Sequence, residues 1–221
     1  MESRELLRSG AASLGVELGD EELERLLIYL GELIKWSRRI NLIARDSDPA
    51  TIIENHFLDS LTLVSLVDRP GLTLLDVGSG AGFPGLVLAA VLPALECTLV
   101  EPRKKRVSFL NHIIRTLGLG NVRVVADRVE TLAEPAAGPY SFVTSRAVAS
   151  PELFLPLVER FLRQGSRALV MAAHRERLAE IPTGEGHFRL EQVKEIRLPV
   201  SRAPRLVALV SACQGQPAEA S

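Results

Sequence analysis

Residues 74–85 read LLDVGSGAGFPG, an apolar run that breaks into glycines and a proline. Glycine lets a backbone approach a ligand closely and adopt positive φ. A loop of this kind, behind a strand and ahead of a helix, is a place to hold a cofactor. Two patterns overlap in it. Gly80, Gly82 and Gly85 spell G-x-G-x-x-G, the fingerprint of a dinucleotide-binding turn. Asp76, Gly78, Gly80 and Gly82 spell D-x-G-x-G-x-G, which suits a different cofactor. A dinucleotide lays its pyrophosphate over the turn, where the Asp76 carboxylate would repel it. S-adenosylmethionine brings an ammonium group and a sulfonium to the same region, and a carboxylate suits both charges. Glu101 closes the next apolar run, 21 residues after Gly80. An acidic side chain there accepts hydrogen bonds from ribose hydroxyls, and both cofactors carry an adenosine ribose.

Three further groups have chemistry to offer. His56 and Asp59, in HFLDS, lie at i, i+3 on one helix face; they form either a local hydrogen-bonded cap or the wall of a pocket, and two such residues are too few for a metal site. RKKR at 103–106 opens a helix with four positive charges against the helix dipole. Either phosphate contacts offset that repulsion, or pairing with Glu96, Glu101 or Asp127 and plain solvation do. Arg38 and Arg39 either extend the basic patch or end a solvated helix. Cys97 and Cys213 are far apart, in no metal-ligand spacing, and fit a reducing cytoplasm better than a disulfide scaffold.

The elements that position these groups follow from periodicity. Residues 21–36 repeat leucine and isoleucine at Leu23, Leu26, Leu27, Leu30, Leu33 and Ile34, one face of an amphipathic helix, with Asp20 as its expected N-cap. A second helical segment runs over about 50–67, with a break expected near His56, and Pro70-Gly71 ends the helical region. Behind it, apolar runs alternate with helical segments. Strands are expected at 72–77, 96–101, 122–127, 140–145 and 166–173, then at 189–198 and 205–211 with no helix between the last two. Alternating β and α implies a parallel sheet covered on both faces, and the final pair implies an antiparallel hairpin at its edge. Methyltransferase sheets end in such a hairpin and dinucleotide folds usually do not. The chain thus divides into a helical region at 1–70, a core at 71–212 and a polar tail at 213–221, expected to be disordered.

Composition narrows the rest. At 221 residues and 47% apolar, the chain has enough material for one domain and an appendage. A formal charge of −1 gives no global field for nucleic acid, so any such contact needs a local patch. Aromatics at 5% argue against a stacking platform for single strands. The N-terminus MESRELLRSG lacks the apolar stretch of a signal peptide. The longest apolar run, LVLAAVLPAL, is too short for a membrane span and contains a proline. A cytoplasmic, membrane-free protein is expected.

The segments INLIARDS, HFLDSLTL, DVGSGAGFPG, RKKRVSFL, DRVETL and SRAVAS together resemble the ribosomal small-subunit methyltransferase G family, also called GidB, over nearly the whole chain. The resemblance implies a Rossmann-like class I S-adenosylmethionine-dependent methyltransferase, an α/β fold with a mostly parallel seven-stranded sheet, a terminal hairpin and an N-terminal helical cap. It implies methyl transfer from S-adenosylmethionine to N7 of a guanine in 16S ribosomal RNA. The partner would be that RNA or the small ribosomal subunit particle, with no metal. Gly78 and Phe83 would line the cofactor loop. Val129 and Glu130 would contact the adenine side, although the Glu130 side chain equally suits a solvated helix start. Arg146 would face the cofactor and target pocket, unless a salt bridge to an acidic neighbour occupies it. Lys105, Arg106 and Arg128 match basic positions that contact RNA. Guanine N7 carries a free lone pair and no proton, so its methylation needs alignment and no general base. TSRAVAS stands where amino-methylating enzymes carry N/D-P-P-Y/F, and neither cysteine is placed as a nucleophile. Two departures bear on RNA docking: Ala173-His174 replaces the usual Lys-Gly, and Pro204-Arg205 replaces the usual Arg-His, with Arg175 and Arg205 as candidate substitutes. An NAD-dependent oxidoreductase and a non-catalytic S-adenosylmethionine- and RNA-binding protein remain as alternatives at this point.

Overall fold

The strands are continuous apolar runs because the sheet they form is covered on both faces. The computed structural model describes residues 2–44, 47–132, 139–146, 150–183 and 187–213. Residues 45–46 of INLIARDS, 147–149 of SRAVAS and 214–221 of the polar tail lie outside them. The strands are β1 (Thr73–Val77), β2 (Glu96–Val100), β3 (Val122–Val125), β4 (Phe142–Ser145), β5 (Arg167–Ala172), β6 (Phe188–Arg197) and β7 (Pro204–Ala212). They pair in the order β3-β2-β1-β4-β5-β7-β6. The first five are parallel, and β7 runs antiparallel to both β5 and β6. Leu74, Leu99 and Leu169 pack into one apolar cluster, while Leu75, Val77, Val100 and Val143 pack into the other. This is the period-2 alternation of a strand buried on both sides. β1 lies between β2 and β4, where the strand order reverses; in open α/β sheets ligands bind in the crevice at the carboxyl ends of such strands. β3 stops at Val125, short of the expected 127, because the Asp127 carboxylate turns back to accept from the Arg128 N–H and the Thr131 hydroxyl, both at 2.7 Å.

Helices α1 (Ser3–Ser13) and α2 (Asp20–Ser37) pack in the same cluster as α6 (Gly85–Val91) and α7 (Lys104–Leu117), and α8 (Pro151–Val158) covers the opposite face. In α2, Leu23, Leu26, Leu30 and Leu33 are buried as their spacing requires, Tyr29 is buried with them, and Leu27 and Ile34 are half-buried. The N-cap is Gly19, not Asp20. The Asp20 carboxylate reaches across to Arg8 of α1 at 2.7 Å, and Asp20, Glu21 and Glu22 fill the first turn, where the helix dipole favours negative charge.

The second helical segment does not break at His56 but changes helix type around it, and its interruption falls at Thr62 and Leu63. Asp48 caps α3 (Pro49–Ile52) by accepting from the N–H groups of Ala50 and Thr51. The chain then widens into a π-helical turn over Ile53–Leu58 before α4 (Asp59–Leu61) and α5 (Val64–Val67). Such widened turns free backbone groups for other partners and recur at functional sites. Here the Asn55 carbonyl accepts from Arg146 at 2.7 Å. Glu54, on the same turn, is buried and accepts from the N–H groups of Val200 and Ser201 at 2.8 and 2.6 Å, between β6 and β7. One carboxylate thus fastens the helical region to the terminal hairpin.

Candidate active site

The glycine loop runs from the end of β1 to the start of α6 and is held by backbone groups. Gly78 and Ser79 donate to the Val100 carbonyl at 2.8 and 3.1 Å. The Gly80 N–H donates to Glu101 at 2.9 Å, and the Tyr29 hydroxyl donates to the Ala81 carbonyl. Gly80 and Gly82 have φ of +59° and +94°, a region L side chains rarely adopt. At Gly82 space is also lacking, since a Cβ would lie 2.5 Å from the Tyr29 hydroxyl and 2.8 Å from Leu86.

Asp76 sits behind this loop, not on the cavity wall. Its side chain is fully buried, and one oxygen accepts from the Gly85 N–H at 2.9 Å. The other has no hydrogen-bond partner among the described residues. Burial pushes its carboxyl up to about 6, against the Gly85 hydrogen bond and the Arg146 charge, which lower it. Glu101, also buried, accepts from Gly80 and from the Arg103 N–H at 2.9 Å, with an Arg106 nitrogen 3.8 Å away. A carboxylate offers about four acceptor sites, so capacity for a hydroxyl remains, although Glu101, like Asp76, is not among the residues lining the cavity. Its charge at the start of α7 also offsets the repulsion among the cations of RKKR.

A cavity of about 740 Å³ opens above the loop, within the usual range for ligand sites. Gly78 to Ala81 line one end; His56, Asp59, Arg146, Arg205, His174 and Arg177 line the other, with Phe83 packed against His56 and Arg146. The second end is a network of side chains. Asp59 accepts from Arg205 Nε at 2.6 Å and lies 3.5 Å from Arg146. Arg146 Nη2 donates to His56 Nδ1 at 2.8 Å, and its guanidinium covers the Phe83 ring at 4.9 Å. His56 stacks on Phe83 with centroids 5.0 Å apart, and Phe83 stacks on Tyr29 at 5.6 Å. Burial and the Arg146 charge pull the His56 imidazole down to about 4, so the ring is neutral at neutral pH. The Arg146 salt bridge and its place on the cavity wall therefore coexist.

The remaining sequence-derived residues divide. Val129 is buried in the second apolar cluster, with its carbonyl accepting from Arg160 at 2.5 Å, and Glu130 is exposed; neither lines the cavity. Lys105 and Arg128 are exposed, as are Arg38 and Arg39. Arg106 instead turns inward to the cavity edge, toward Glu101 and the Asn41 carbonyl. Of the candidate substitutes, Arg205 lines the cavity, whereas Arg175 is spent on Glu195 at 2.8 Å on the surface. Arg177, beyond Ala173, lines the cavity too. Sequence reasoning missed Tyr29, Asn55, Ser145 and Arg177. Tyr29 carried a signal, an aromatic with a hydroxyl among leucines at helical spacing, since a buried hydroxyl requires a partner. Cys97 is buried in β2, where burial pushes its thiol up. Among the described residues no helix is long and apolar enough to cross a membrane, and no His, Cys, Asp and Glu group could hold a metal ion.

The strand order, the glycine loop after β1 and the terminal hairpin define a class I S-adenosylmethionine-dependent methyltransferase fold. Solved structures agree on that fold: an S-adenosylmethionine-dependent methyltransferase from Aquifex aeolicus superposes with a TM-score of 0.57 at 17% identity, over 75% of this chain and 94% of that one. A variant of MtNAS in complex with S-adenosylmethionine gives 0.56 at 19% identity, over 95% and 77%. The family model for rRNA small subunit methyltransferase G (GidB) matches residues 22–207. A ribosomal RNA small subunit methyltransferase G from Desulfotalea psychrophila is 44% identical over 209 residues, covering 92% of this chain and 96% of its own. One from Neisseria meningitidis serogroup B is 35% identical over 213 residues, covering 96% and 99%. The chain belongs to the rRNA small subunit methyltransferase G family, which sets aside the dinucleotide reading of its glycine loop. S-adenosylmethionine is the cofactor that goes with this family and fold. The glycine cradle fits it, as does the Ser145 hydroxyl, buried without a partner among the described residues on the cavity wall.

Proposed function

We propose that the protein transfers the methyl group of S-adenosylmethionine to N7 of a guanine in 16S ribosomal RNA. The observation that carries this reading is that His56 and Asp59, the proton-accepting groups beside Arg146 and Phe83, are already engaged, while His174 lies exposed elsewhere on the wall. The His56 Nδ1 lone pair receives Arg146, and the Asp59 oxygens face Arg146 and Arg205. Such a site suits a nitrogen whose lone pair is already free, and purine N7 is one. Bound S-adenosylmethionine supplies the electrophilic methyl group. Gly78, Gly80 and Phe83 of the loop would hold it, with Glu101 toward its ribose hydroxyls. Arg146, His56 and Asp59 then form the wall that positions the base, and alignment itself supplies the rate enhancement. Arg106, Arg177 and Arg205 line the cavity too, each beside a carboxylate, Glu101, Glu180 and Asp59; with the donors left over they would contribute to the local positive patch that a chain of net charge −1 needs for RNA phosphate. Exposed Lys105 and Arg128 would extend it. The cytoplasm, where ribosomal subunits assemble, is the corresponding compartment.

The test is methyl transfer from labelled S-adenosylmethionine to 16S rRNA and to small ribosomal subunits, followed by borohydride–aniline cleavage, which cuts at N7-methylguanine. Label that co-migrates with one cleavage site is the expected result. Label without cleavage would move the reaction to another atom. Binding of S-adenosylhomocysteine with no transfer to either substrate would leave a non-catalytic binding protein.

A further inference from the structure

We propose that His56 reads the target base: its Nε2–H donates a hydrogen bond to O6 of the purine whose N7 receives the methyl group. This rests on the guanine-N7 reading and adds a specificity-determining residue to it.

The tautomer follows from a partner that can only donate. Arginine has no acceptor, so the 2.8 Å contact from Arg146 Nη2 places the lone pair on His56 Nδ1 and the proton on Nε2. That N–H has no partner among the described residues, and the ring forms part of the cavity wall. The ring plane is fixed as well. It stacks on Phe83, which stacks on Tyr29, with interplanar angles of 19° and 9°.

The charged groups next to His56 have the same sense. Arg146 and Arg205 are donors, and the Asp59 carboxylate is occupied by them. The wall therefore offers hydrogen-bond donors with its carboxylate already committed. Guanine presents two neighbouring acceptors, N7 and O6, on its major-groove edge, whereas adenine presents N7 beside an N6 amino donor. With N7 turned to the methyl group, guanine sets O6 against a donor wall, and adenine would set a donor against donors. Charge points the same way. Transfer leaves a positive charge on the purine, which an imidazolium would oppose and a neutral imidazole does not. The charged groups facing His56 are Arg146 and, behind it, Asp59; Phe83 stacks on the ring without charge.

The experiment uses the full chain and small subunits reconstituted with 16S rRNA carrying either guanine or 2-aminopurine at the methylated position, which wild-type enzyme and aniline cleavage locate first. 2-Aminopurine keeps N7 and lacks O6. His56→Phe keeps a stacked ring and removes the donor. It should slow transfer to guanine about tenfold, the worth of one hydrogen bond. Removing O6 should slow wild type by a similar factor, and the two changes together should do little more than either alone. The S-adenosylhomocysteine dissociation constant should stay within about twofold. His56→Ala repeats the cycle if the phenylalanine variant does not fold. Equal slowing of both bases by the variant, or a parallel loss of S-adenosylhomocysteine affinity, would overturn the assignment. Wild-type transfer with no aniline-cleavable site would overturn the N7 reading, and this inference with it, before any variant is made.

Discussion

The glycine-loop end of the cavity is built from backbone, and the facing end is built from side chains. At the first, Gly78, Ser79, Gly80 and Ala81 are fixed by main-chain hydrogen bonds and by single contacts from Glu101 and Tyr29. At the second, His56, Asp59, Arg146 and Arg205 come from a π-helical turn, the start of α4, the residue after β4 and the start of β7, and hold one another. A backbone site tolerates few substitutions but is short and local. A side-chain site tolerates substitution at one member only if the others find new partners. The two ends should therefore fail differently, the first by losing the fold and cofactor together, the second by losing methyl transfer alone.

The largest effect is expected at Gly82. Gly82→Val adds a side chain where a Cβ alone would lie 2.5 Å from the Tyr29 hydroxyl, at a φ of +94°. Overpacking and positive φ each cost about 1–3 kcal/mol, so a loss of roughly 4 kcal/mol is expected in urea unfolding. S-adenosylhomocysteine binding should fall below detection. A variant of near wild-type stability that still binds would show that the loop is not the rigid element described here.

Next is Asp59→Ala, which leaves the Arg146 and Arg205 charges facing one another with their shared carboxylate gone. Breaking a buried ion pair costs about 3–5 kcal/mol. Both arginines keep about a fifth of their side-chain surface exposed, at 21% and 18%, so roughly 2–3 kcal/mol is the better expectation. Transfer should fall more than about 100-fold, since misplacement of positioning groups carries that weight, while S-adenosylhomocysteine binding changes little. Equal loss of binding and transfer would mean that the two ends are one unit.

The same contrast explains what the sequence made legible. The backbone end is a run of contiguous residues, and glycine, Asp76 and Glu101 at fixed spacing announce it. The sheet order follows from alternation of apolar runs, and the hairpin from two runs with no helix between. The side-chain end joins residues up to 149 positions apart, His56 to Arg205, and no local pattern carries that. HFLDS and SRA could be noticed, yet their joining through Arg146 required the fold. The residue near the loop whose setting the sequence did not convey is Asp76. Its position before the turn suggests a carboxylate facing the ligand, whereas in the fold one of its oxygens accepts from the Gly85 N–H at the start of α6. Gly19 in place of Asp20 as the N-cap is the same kind of miss, a local preference overridden by a distant partner, Arg8.

Asp76 gives a pH-dependent test of comparable but smaller size. Its folded-state value of about 6 lies above the model-peptide value of 3.8. Between those values the folded state binds more protons than the unfolded one, so its contribution to stability falls as pH rises through about 4 to 6 and is constant above. The shift is worth about 2–3 kcal/mol. Asp76→Asn keeps an oxygen for the Gly85 N–H and cannot ionise. The stability of the variant relative to wild type should rise by that amount from pH 4 to pH 6.5 and then level off. Parallel stability curves for the two proteins would show that the carboxyl is not strained by its burial.

The smallest effects separate neighbours in RKKR. Lys105 is exposed, while Arg106 lies at the cavity edge beside Glu101 with 28% of its side chain exposed. Lys105→Ala should leave stability within about 0.5 kcal/mol and S-adenosylhomocysteine binding unchanged. It should weaken RNA binding modestly and reduce the salt dependence of that binding by about one counterion. Arg106→Ala should do the same to RNA and, in addition, change S-adenosylhomocysteine affinity, because the Glu101 carboxylate loses its nearest cation and its cover on the cavity side. If Arg106→Ala affects RNA alone, Arg106 belongs to the basic surface with Lys105. If it affects the cofactor analogue alone, the basic run at the start of α7 serves two purposes from adjacent residues, and Glu101 is held by the side that faces inward.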